Sequence, residues 1–256
     1  MTEESGIGIV VPTLGRRPAL LLQSLNSIRE AGSCTIILVA PAEFDASQLI
    51  EDGLADFKLD ETGATLAGAI RQGFDALAGE VRYISWLGDD DLLRPGALNL
   101  TSHFLASHPR TSAVYGACDY IDELGEVVWK NRSGSWAAPL LRVGPDLVPQ
   151  PGSLFRRSSY NQTGGLRTDL GWAFDLDIFL QLARFGRLSY LPQTLAAFRW
   201  HADSLSVGQR DGSVREASQV RREFLPNWLQ PISPIWEAPV RWATHRAASL
   251  VGGGKK

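Results

Sequence analysis

The sequence predicts an α/β fold, with a mostly parallel sheet, helices on both faces and a small antiparallel addition. Short apolar runs rich in β-branched residues alternate with segments that repeat apolar residues at helical spacing. The chain has 256 residues, 44% of them apolar, which is enough to bury the core of one large domain. Its 25 basic and 28 acidic side chains give a charge of only -3, which argues against a dedicated nucleic-acid-binding protein.

Strands and helices alternate through the first half of the chain. Residues 7–11, 35–40 and 81–87 are short apolar runs, which predict buried strands. Residues 18–31, which start with a proline, and residues 66–77 repeat apolar side chains at helical spacing up to a following glycine, which predicts helices. Ligands of such sheets gather at the carboxyl ends of the strands, so we expect the chemistry there.

The second half of the chain mixes both kinds of element. We expect a helix over residues 95–105, antiparallel strands over 113–115 and 127–129, and a loop over 133–152. A helix over 175–185 and a strand over 195–200 should follow. A polar loop over 203–214 and a helix over 213–224 come last. No internal repeat is present.

Cysteine usage and the amino terminus favour a cytoplasmic protein. Cys34 and Cys118 have no spacing typical of a zinc site or a disulfide framework, so we expect two core residues in a reducing compartment. Residues 1–6 carry two glutamates and no long apolar run, which predicts neither a signal peptide nor a membrane span. Peripheral contact at the inner face of the membrane is a further option.

Asp89, Asp90 and Asp91 directly follow the predicted strand at 81–87. Adjacent carboxylates repel by up to about 4 kcal/mol per pair at 4 Å when the effective dielectric is near 20. Either solvent at a surface turn or a bound hard cation, magnesium or manganese, would offset this repulsion. The apolar sequence on both sides of the triplet favours the cation.

Several separate segments resemble the family 2 glycosyltransferases. Residues 9–13 with Arg16 are similar to that family's opening strand and Pro-Thr-x-Asn-Arg turn, with Gly15 in place of the asparagine. The segments 68–74, 78–80 and 83–93 are similar to its Ala-Ile-Asn-Lys-Gly helix, Thr-Gly-Glu turn and Leu-x-x-Asp-Asp motif. Further matches follow in the family's order at 114–125, 150–157, 164–166, 175–178 and 195–206. The resemblance covers about residues 7–206.

This resemblance implies the GT-A fold and an enzyme that transfers a sugar with inversion. The donor it implies is a nucleotide-diphosphate sugar, first of all a UDP-sugar, with dTDP- and GDP-sugars as alternatives. The acceptor it implies is a saccharide or a lipid-linked glycan, and the cofactor is Mn²⁺ or Mg²⁺. We predict a GT-A catalytic domain over residues 1–206, with a nucleotide-binding half of about 1–118 and an acceptor half of about 119–206, and an appendage over 207–256.

The resemblance also assigns roles to single residues. Asp175 matches the acid that acts as general base, although its position also suits a helix N-cap. Asp177 is expected to be a structural or acceptor-orienting partner, and Trp172 either stacks on a sugar ring or simply packs. The predicted donor-binding residues are Pro12, Thr13, Leu14, Arg16, Ala40, Asp60, Gly68, Asp89 and Asp90. The predicted metal ligands are Asp90, Asp91 and His201, and a local hydrogen-bonding role for His201 is the alternative.

Two departures from the family leave other functions open. Ala40 begins the stretch where many members carry acids that read the uracil edge, and Gly88 stands where many carry the first acid of the Asp motif. Glu43, Asp60 or backbone groups near Thr13 and Ala40 can substitute for the base contact. The alternative function is a catalytically silent nucleotide-sugar or sugar-binding protein on the same fold. A nucleotidyltransferase is disfavoured because residues 12–17 lack a glycine-rich loop with a basic residue.

The C-terminal segment, residues 226–251, interleaves three tryptophans with prolines and then basic residues. Its apolar residues Val240, Ala243, Ala247 and Leu250 repeat at helical spacing, as in helices that lie on a membrane surface. The alternatives are a helix docked on the catalytic domain and a homodimer contact.

Overall fold

The amino-terminal half of the sheet is parallel throughout. Its strands are β1 (Ile7–Pro12), β2 (Thr35–Ala40), β3 (Phe57–Asp60) and β4 (Tyr83–Trp86), in the spatial order β3-β2-β1-β4. The strands β1 and β4 are buried along their whole length, as expected for parallel strands covered on both sides. The computed structural model describes residues 6–63, 65–77, 79–200 and 210–232, and everything below concerns those residues.

Helices cover both faces of this sheet. The helices α1 (Pro18–Ala31) and α4 (Ala97–Ser107) contribute to the core cluster that contains Ile9 and Val11 of β1. The intervening Val10 belongs to a second cluster, which contains α3 (Leu66–Ala76). Because side chains alternate along a strand, the two clusters lie on opposite faces of the sheet. The short helix α2 (Ser47–Glu51) buries none of its residues.

The second half of the sheet brings in the antiparallel strands. It consists of β5 (Leu92–Leu93), β6 (Thr111–Ile121), β7 (Val127–Asn131), β8 (Leu154–Arg156) and β9 (Arg187–Arg199). The order continues β4-β8-β6-β9-β5, and β7 pairs with β6. The strand β8 runs antiparallel to both β4 and β6, β7 antiparallel to β6 and β5 antiparallel to β9, whereas β6 and β9 are parallel.

Within the described residues, four further helices follow β7. They are α5 (Ala137–Leu140), α6 (Arg157–Tyr160), α7 (Phe174–Leu182) and α8 (Arg210–Glu223). The 3₁₀ turns Gly134–Trp136 and Gln230–Ile232 complete the described structure. The helix α7 buries Leu176, Ile178 and Phe179 in the second core cluster, and α8 adds Val220 to it. The described part of α8 therefore packs on the same core as the sheet.

The architecture agrees with the prediction, and the differences lie in the short and polar elements. The elements α2, β3, β5 and β8 are five residues or shorter, too short to give a periodic signal. The predicted strand at 195–200 is the end of the 13-residue strand β9, whose first half is only partly buried. The helix predicted over 213–224 starts earlier, at Arg210, and the rest of the predicted loop at 203–214 lies outside the described residues.

Both cysteines are buried free thiols, as predicted. Burial raises the pKa of Cys34 to about 12, so this thiol is not a nucleophile at neutral pH. Among the helices of the described ranges, none has the length and apolar character needed to cross a bilayer.

Candidate active site

The carboxyl ends of the four parallel strands meet at one edge of the sheet. Thr13, directly after β1, donates its backbone N–H to the carbonyl of Val39 at 2.9 Å, and Ala40 pairs with Asp60 across β2 and β3. Pro12, Thr13, Ala40 and Asp60 are therefore neighbours along this edge. The Asp60 side chain is exposed and forms an ion pair with Lys58. No described contact places Asp60 beside the acidic turn.

The acidic turn after β4 is held to the end of β1. The Thr13 hydroxyl donates to the Asp89 carboxylate at 2.6 Å. Arg17 lies across Asp89 and Asp90, with Nη1 2.8 Å from Asp90 Oδ2 and Nη2 3.4 Å from Asp89 Oδ1. The structure thus brings together three of the predicted donor-binding residues. It adds Arg17, which the sequence analysis passed over in favour of its neighbour Arg16.

Asp91 points the other way, into the protein. Its carboxylate is 5% exposed and accepts the backbone N–H of Arg199 at 2.9 Å. Burial, and then the charge of Asp90, raise the pKa of Asp91 well above its usual range. A Cβ atom on Gly88 would lie 2.9 Å from Asp91 Oδ2 and 3.2 Å from Asp90 Oδ1. The glycine therefore leaves room for the two carboxylates that fold over it.

Arg199, at the end of β9, braces the acidic turn. Its guanidinium is buried and donates to the carbonyls of Asp90 (3.0 Å), Asp122 (2.9 Å) and Glu123 (3.0 Å) and to the side chain of Gln23 (3.2 Å). The sequence analysis used the adjoining His201 and missed this arginine. The local sequence pattern does not distinguish an arginine that is buried against a turn from one that lies on the surface.

The acids of the turn fit a divalent cation in part. Asp89 and Asp90 keep side-chain exposures of 15% and 14% and offer the oxygen ligands that Mg²⁺ and Mn²⁺ prefer. Asp91 is turned inward, and His201 lies outside the described residues. Within 6–63, 65–77, 79–200 and 210–232, no group of three His, Cys, Asp or Glu side chains is placed to hold a metal. Donor phosphate oxygens and water would have to complete the coordination.

Asp175 lies in the first turn of α7, one residue inside the helix. The N-cap is Ala173, which makes no side-chain cap hydrogen bond, so Asp175 does not serve as the cap. Its carboxylate accepts the backbone N–H of Leu176 at 2.7 Å. Burial raises the pKa of Asp175 to about 7, and the negative charges of Asp146 and Glu216 add to the shift. A carboxylate with this pKa can accept a proton near neutral pH.

An aromatic contact joins the two acidic regions. Trp86, the last residue of β4, lies against Phe174, the first residue of α7, with ring centroids 6.0 Å apart. Trp86 precedes the acidic turn by two residues and Phe174 directly precedes Asp175. The fold therefore brings the start of α7 next to the end of β4.

Glu216 of α8 caps the segment that leads into α7. Its carboxylate accepts the backbone N–H groups of Gly171 (2.9 Å), Trp172 (2.7 Å) and Ala173 (2.7 Å). Charge-assisted hydrogen bonds of this kind are about twice as strong as neutral ones. A Cβ on Gly212 would lie 3.2 Å from the ring of Trp172, so α8 also confines this tryptophan. The sequence analysis missed Glu216, because its partners are backbone groups some 45 residues away.

Asp146 and Arg221 complete the charges around Asp175. Asp146 is an exposed residue, but desolvation of its carboxylate by the surrounding protein still raises its pKa to about 6. The positive charge of Arg221 opposes this shift. Arg221 is itself buried and donates to the carbonyl of Leu141 at 3.1 Å. Asp146 was missed because it lies in the segment predicted as loop.

Asp177 is buried, and its described contacts lie within the fold. Its carboxylate accepts from Gln181 at 2.5 Å and lies 3.8 Å from the guanidinium of Arg167. Burial raises its pKa, while the hydrogen bond from Gln181 opposes that shift. The geometry supports a structural role and gives no direct support to contact with an acceptor.

The remaining predicted residues lie around the rim of the site. Leu14 and Arg16 are exposed after β1. Gly68 donates its N–H to the Thr65 hydroxyl at 3.1 Å, and a Cβ there would be 3.8 Å from the Thr168 methyl. The start of α3 thus lies beside the segment that leads to α7.

Solved structures with a similar backbone arrangement include a mannosyltransferase. The mannosyltransferase PcManGT from Pyrobaculum calidifontis, in complex with GDP-Man and Mn²⁺, is similar with a TM-score of 0.64 at 19% identity, over 97% of this chain and 76% of that one. S. aureus TarS gives a TM-score of 0.58 at 14% identity over 85% of this chain, which spans only 42% of TarS. TarS 1–349 in complex with UDP gives 0.56 at 13% identity, over 87% of this chain and 71% of that one.

These likenesses confirm the predicted fold class, a GT-A type α/β fold. No curated protein sequence matches the chain. The family model described as glycosyl transferase family 2 matches residues 8–179, more than half of the sequence. The match begins in β1, contains the acidic turn after β4 and ends within α7, so it includes both acidic regions. The chain belongs to glycosyl transferase family 2.

Proposed function

We propose that this glycosyltransferase is inverting and transfers a sugar from a nucleotide-diphosphate sugar to a hydroxyl of a saccharide or glycolipid acceptor, with Asp175 as general base. The observation that carries the proposal is the setting of Asp175. The contact between Trp86 and Phe174 brings the start of α7 next to the end of β4, which supports this role, and the pKa of about 7 of Asp175 suits a base at neutral pH.

The proposed reaction is a single in-line displacement. The acceptor oxygen forms a bond to the anomeric carbon on the face opposite the diphosphate, and the bond from that carbon to the diphosphate oxygen breaks. The acceptor proton passes to Asp175, and the electron pair of the broken bond leaves with the nucleoside diphosphate. A base positioned in this way contributes about 10²- to 10⁴-fold to the rate.

The donor would lie along the carboxyl edge of the parallel strands. Asp89 is oriented by the Thr13 hydroxyl and Asp90 by the guanidinium of Arg17, so both acids are held at the edge where ligands of such sheets bind. When bound, a divalent cation at these acids would neutralise the charge that develops on the leaving diphosphate. Arg17 supplies a second cation of fixed charge, suited to phosphate oxygens.

The base of the donor nucleotide would be read near the end of β3. Asp60 is exposed beside Ala40 at the end of β3 and is the acid available to read a base edge. Uracil is our first expectation, with thymine and guanine as alternatives. TarS 1–349 was solved with UDP and PcManGT with GDP-Man, which supports a nucleotide-sugar donor without choosing between these bases.

The acceptor would approach α7 from the side of Trp172. This tryptophan is half-buried, Glu216 fixes its backbone, and Gly212 of α8 lies against its ring and limits the ring's orientation. A pre-oriented aromatic ring suits stacking on a sugar. The division into a catalytic domain at 1–206 and an appendage at 207–256 stays a prediction, and so does the cytoplasmic location. Membrane or homodimer contact through the C-terminal segment also stays a prediction, because residues 233–256 lie outside the described structure.

Calorimetric titration of UDP, dTDP and GDP, each with and without Mn²⁺, tests the donor part. Binding of one nucleotide that strengthens with Mn²⁺ supports the proposal and identifies the base. The corresponding nucleotide sugars are then screened for transfer to saccharide acceptors, and NMR of the product linkage gives the stereochemistry. Retention of the anomeric configuration would rule out the single displacement.

The second candidate function is a catalytically silent nucleotide-sugar or sugar-binding protein. The observation that favours it is the ion pair of Arg17 with both acids, at 2.8 and 3.4 Å, which occupies the position expected for the cation. This candidate predicts nucleotide or sugar binding that does not respond to Mn²⁺, with no transfer to any acceptor. Turnover that depends on Mn²⁺ would exclude it.

A further inference from the structure

We infer that Arg17 is a built-in competitor of the divalent cation, which keeps Asp89 and Asp90 neutralised until the donor diphosphate arrives. The inference depends on the proposed function only for the location of the donor site. It concerns the order of binding. Asp89 and Asp90 bind a divalent cation readily only when phosphate oxygens are present to bind the guanidinium of Arg17 in their place.

The first argument is where the guanidinium lies. Nη1 and Nη2 contact one carboxylate each, at 2.8 Å from Asp90 and 3.4 Å from Asp89. A cation bound to these two carboxylates would need the same oxygen lone pairs. It would also meet a positive charge only a few ångströms away, which costs free energy at any protein dielectric.

The second argument is that Arg17 can leave. Its side chain is 41% exposed, whereas those of Asp89 and Asp90 are only 15% and 14% exposed. Its backbone is anchored, because the Arg17 carbonyl accepts the N–H groups of Leu20 and Leu21 at the start of α1. Rotation of this side chain can therefore withdraw the guanidinium from both acids without moving the helix.

The third argument is what the guanidinium would bind next. Arginine forms paired hydrogen bonds to phosphate as well as to carboxylate, and a donor diphosphate at the carboxyl edge of the sheet would lie within its reach. When the guanidinium of Arg17 moves from the two acids to a phosphate, the acids become available to a cation and the donor gains a hydrogen-bonding partner. Cation and nucleotide should then bind with positive coupling, and that coupling is reciprocal.

The test is direct binding of Mn²⁺ alone, measured by the EPR signal of the free ion, in wild type and Arg17→Ala. We expect Arg17→Ala to bind Mn²⁺ about tenfold more tightly, and Arg17→Lys to stay near wild type because it keeps the charge. The matched control is Arg16→Ala, which removes the same charge one residue away. Within the described ranges Arg16 forms no ion pair, so its loss should change the affinity less than about twofold.

Two further measurements locate the ion and test the coupling. Asp90→Asn added to Arg17→Ala should abolish the gained Mn²⁺ affinity; persistence of tight binding would show that the ion lies elsewhere and overturn the inference. The nucleotide found by calorimetry should strengthen Mn²⁺ binding in wild type by a larger factor than in Arg17→Ala. Equal Mn²⁺ affinity in wild type and Arg17→Ala, or no binding in either, also overturns the inference.

The proposed function fails separately. If wild type binds no nucleotide and transfers no sugar, the donor site is refuted, while the comparison of Mn²⁺ affinities still decides whether Arg17 competes for the acids. If wild type is an active transferase and Arg17→Ala leaves Mn²⁺ affinity unchanged, only the inference about Arg17 is lost.

Discussion

The acidic turn after β4 and the start of α7 both collect carboxylates, but their surroundings are opposite. Asp89 and Asp90 face a guanidinium at 3.4 and 2.8 Å. Burial and the negative charges of Asp146 and Glu216 raise the pKa of Asp175 to about 7. Under the proposed function, the positive partner would prepare the first group to exchange cations, and the two acidic neighbours would prepare the second to take a proton. The same residue type would then acquire two roles from its neighbours.

The sharpest way to break this comparison is to replace Asp175 by asparagine. The amide cannot accept the acceptor proton, so we expect kcat to fall by about 10²-fold or more, with donor affinity nearly unchanged. Steady-state kinetics and calorimetry of the nucleotide measure the two quantities. The control is Asp169→Asn, which removes an exposed nearby acid that pairs with Arg167. An equal loss of donor affinity in Asp175→Asn would place this residue in the donor site instead.

The next largest effect is expected from Glu216→Gln, which weakens the cap on the segment before α7. One carboxylate now accepts three backbone N–H groups, and an amide oxygen cannot replace both of its oxygens. We expect the free energy of unfolding to fall by about 1–3 kcal/mol and kcat by about tenfold, since Asp175 loses its fixed position. Chemical denaturation and kinetics measure these. A wild-type kcat would show that α8 does not position the base.

The pH dependence of turnover sharpens the electrostatic half of the comparison. The base must be ionised, so kcat should fall as the pH falls through about 7, the pKa of Asp175. Asp146→Asn removes a negative neighbour, which lowers the Asp175 pKa and should move this acidic limb to lower pH. The measurement is kcat against pH for both proteins, with Asp169→Asn as the control. If the acidic limb does not move in Asp146→Asn, the limb does not report the titration of Asp175 beside Asp146.

The sequence predicted what depends on local pattern. Apolar runs located β1, β2 and β4, and the motif order located the acidic turn and Asp175. Glu216 and Arg17 escaped because their roles depend on partners more than 40 residues away, as in the 72-residue separation of Arg17 and Asp89. Asp146 escaped because it lies in the segment predicted as loop and acts on Asp175 through tertiary structure. The inward turn of Asp91 escaped for the same reason, since its partner Arg199 is 108 residues away. Side-chain direction within an acidic triplet is set by tertiary contacts.

The smallest effect we predict concerns Gly88, where many family members carry an acid. The backbone there is not left-handed, so alanine adds no backbone strain, only a methyl group within 2.9 Å of Asp91 and 3.2 Å of Asp90. Asp91 is held by Arg199, so Asp90 must move most. We expect Gly88→Ala to weaken Mn²⁺-dependent nucleotide affinity about threefold, and to cost about 1 kcal/mol of stability. Gly79→Ala, which would meet nothing within 4 Å, is the control. Equal affinities in wild type and Gly88→Ala would mean that the position of the Asp90 carboxylate does not limit cation binding. Asp89 would then be the acid of the turn that determines the affinity for the cation.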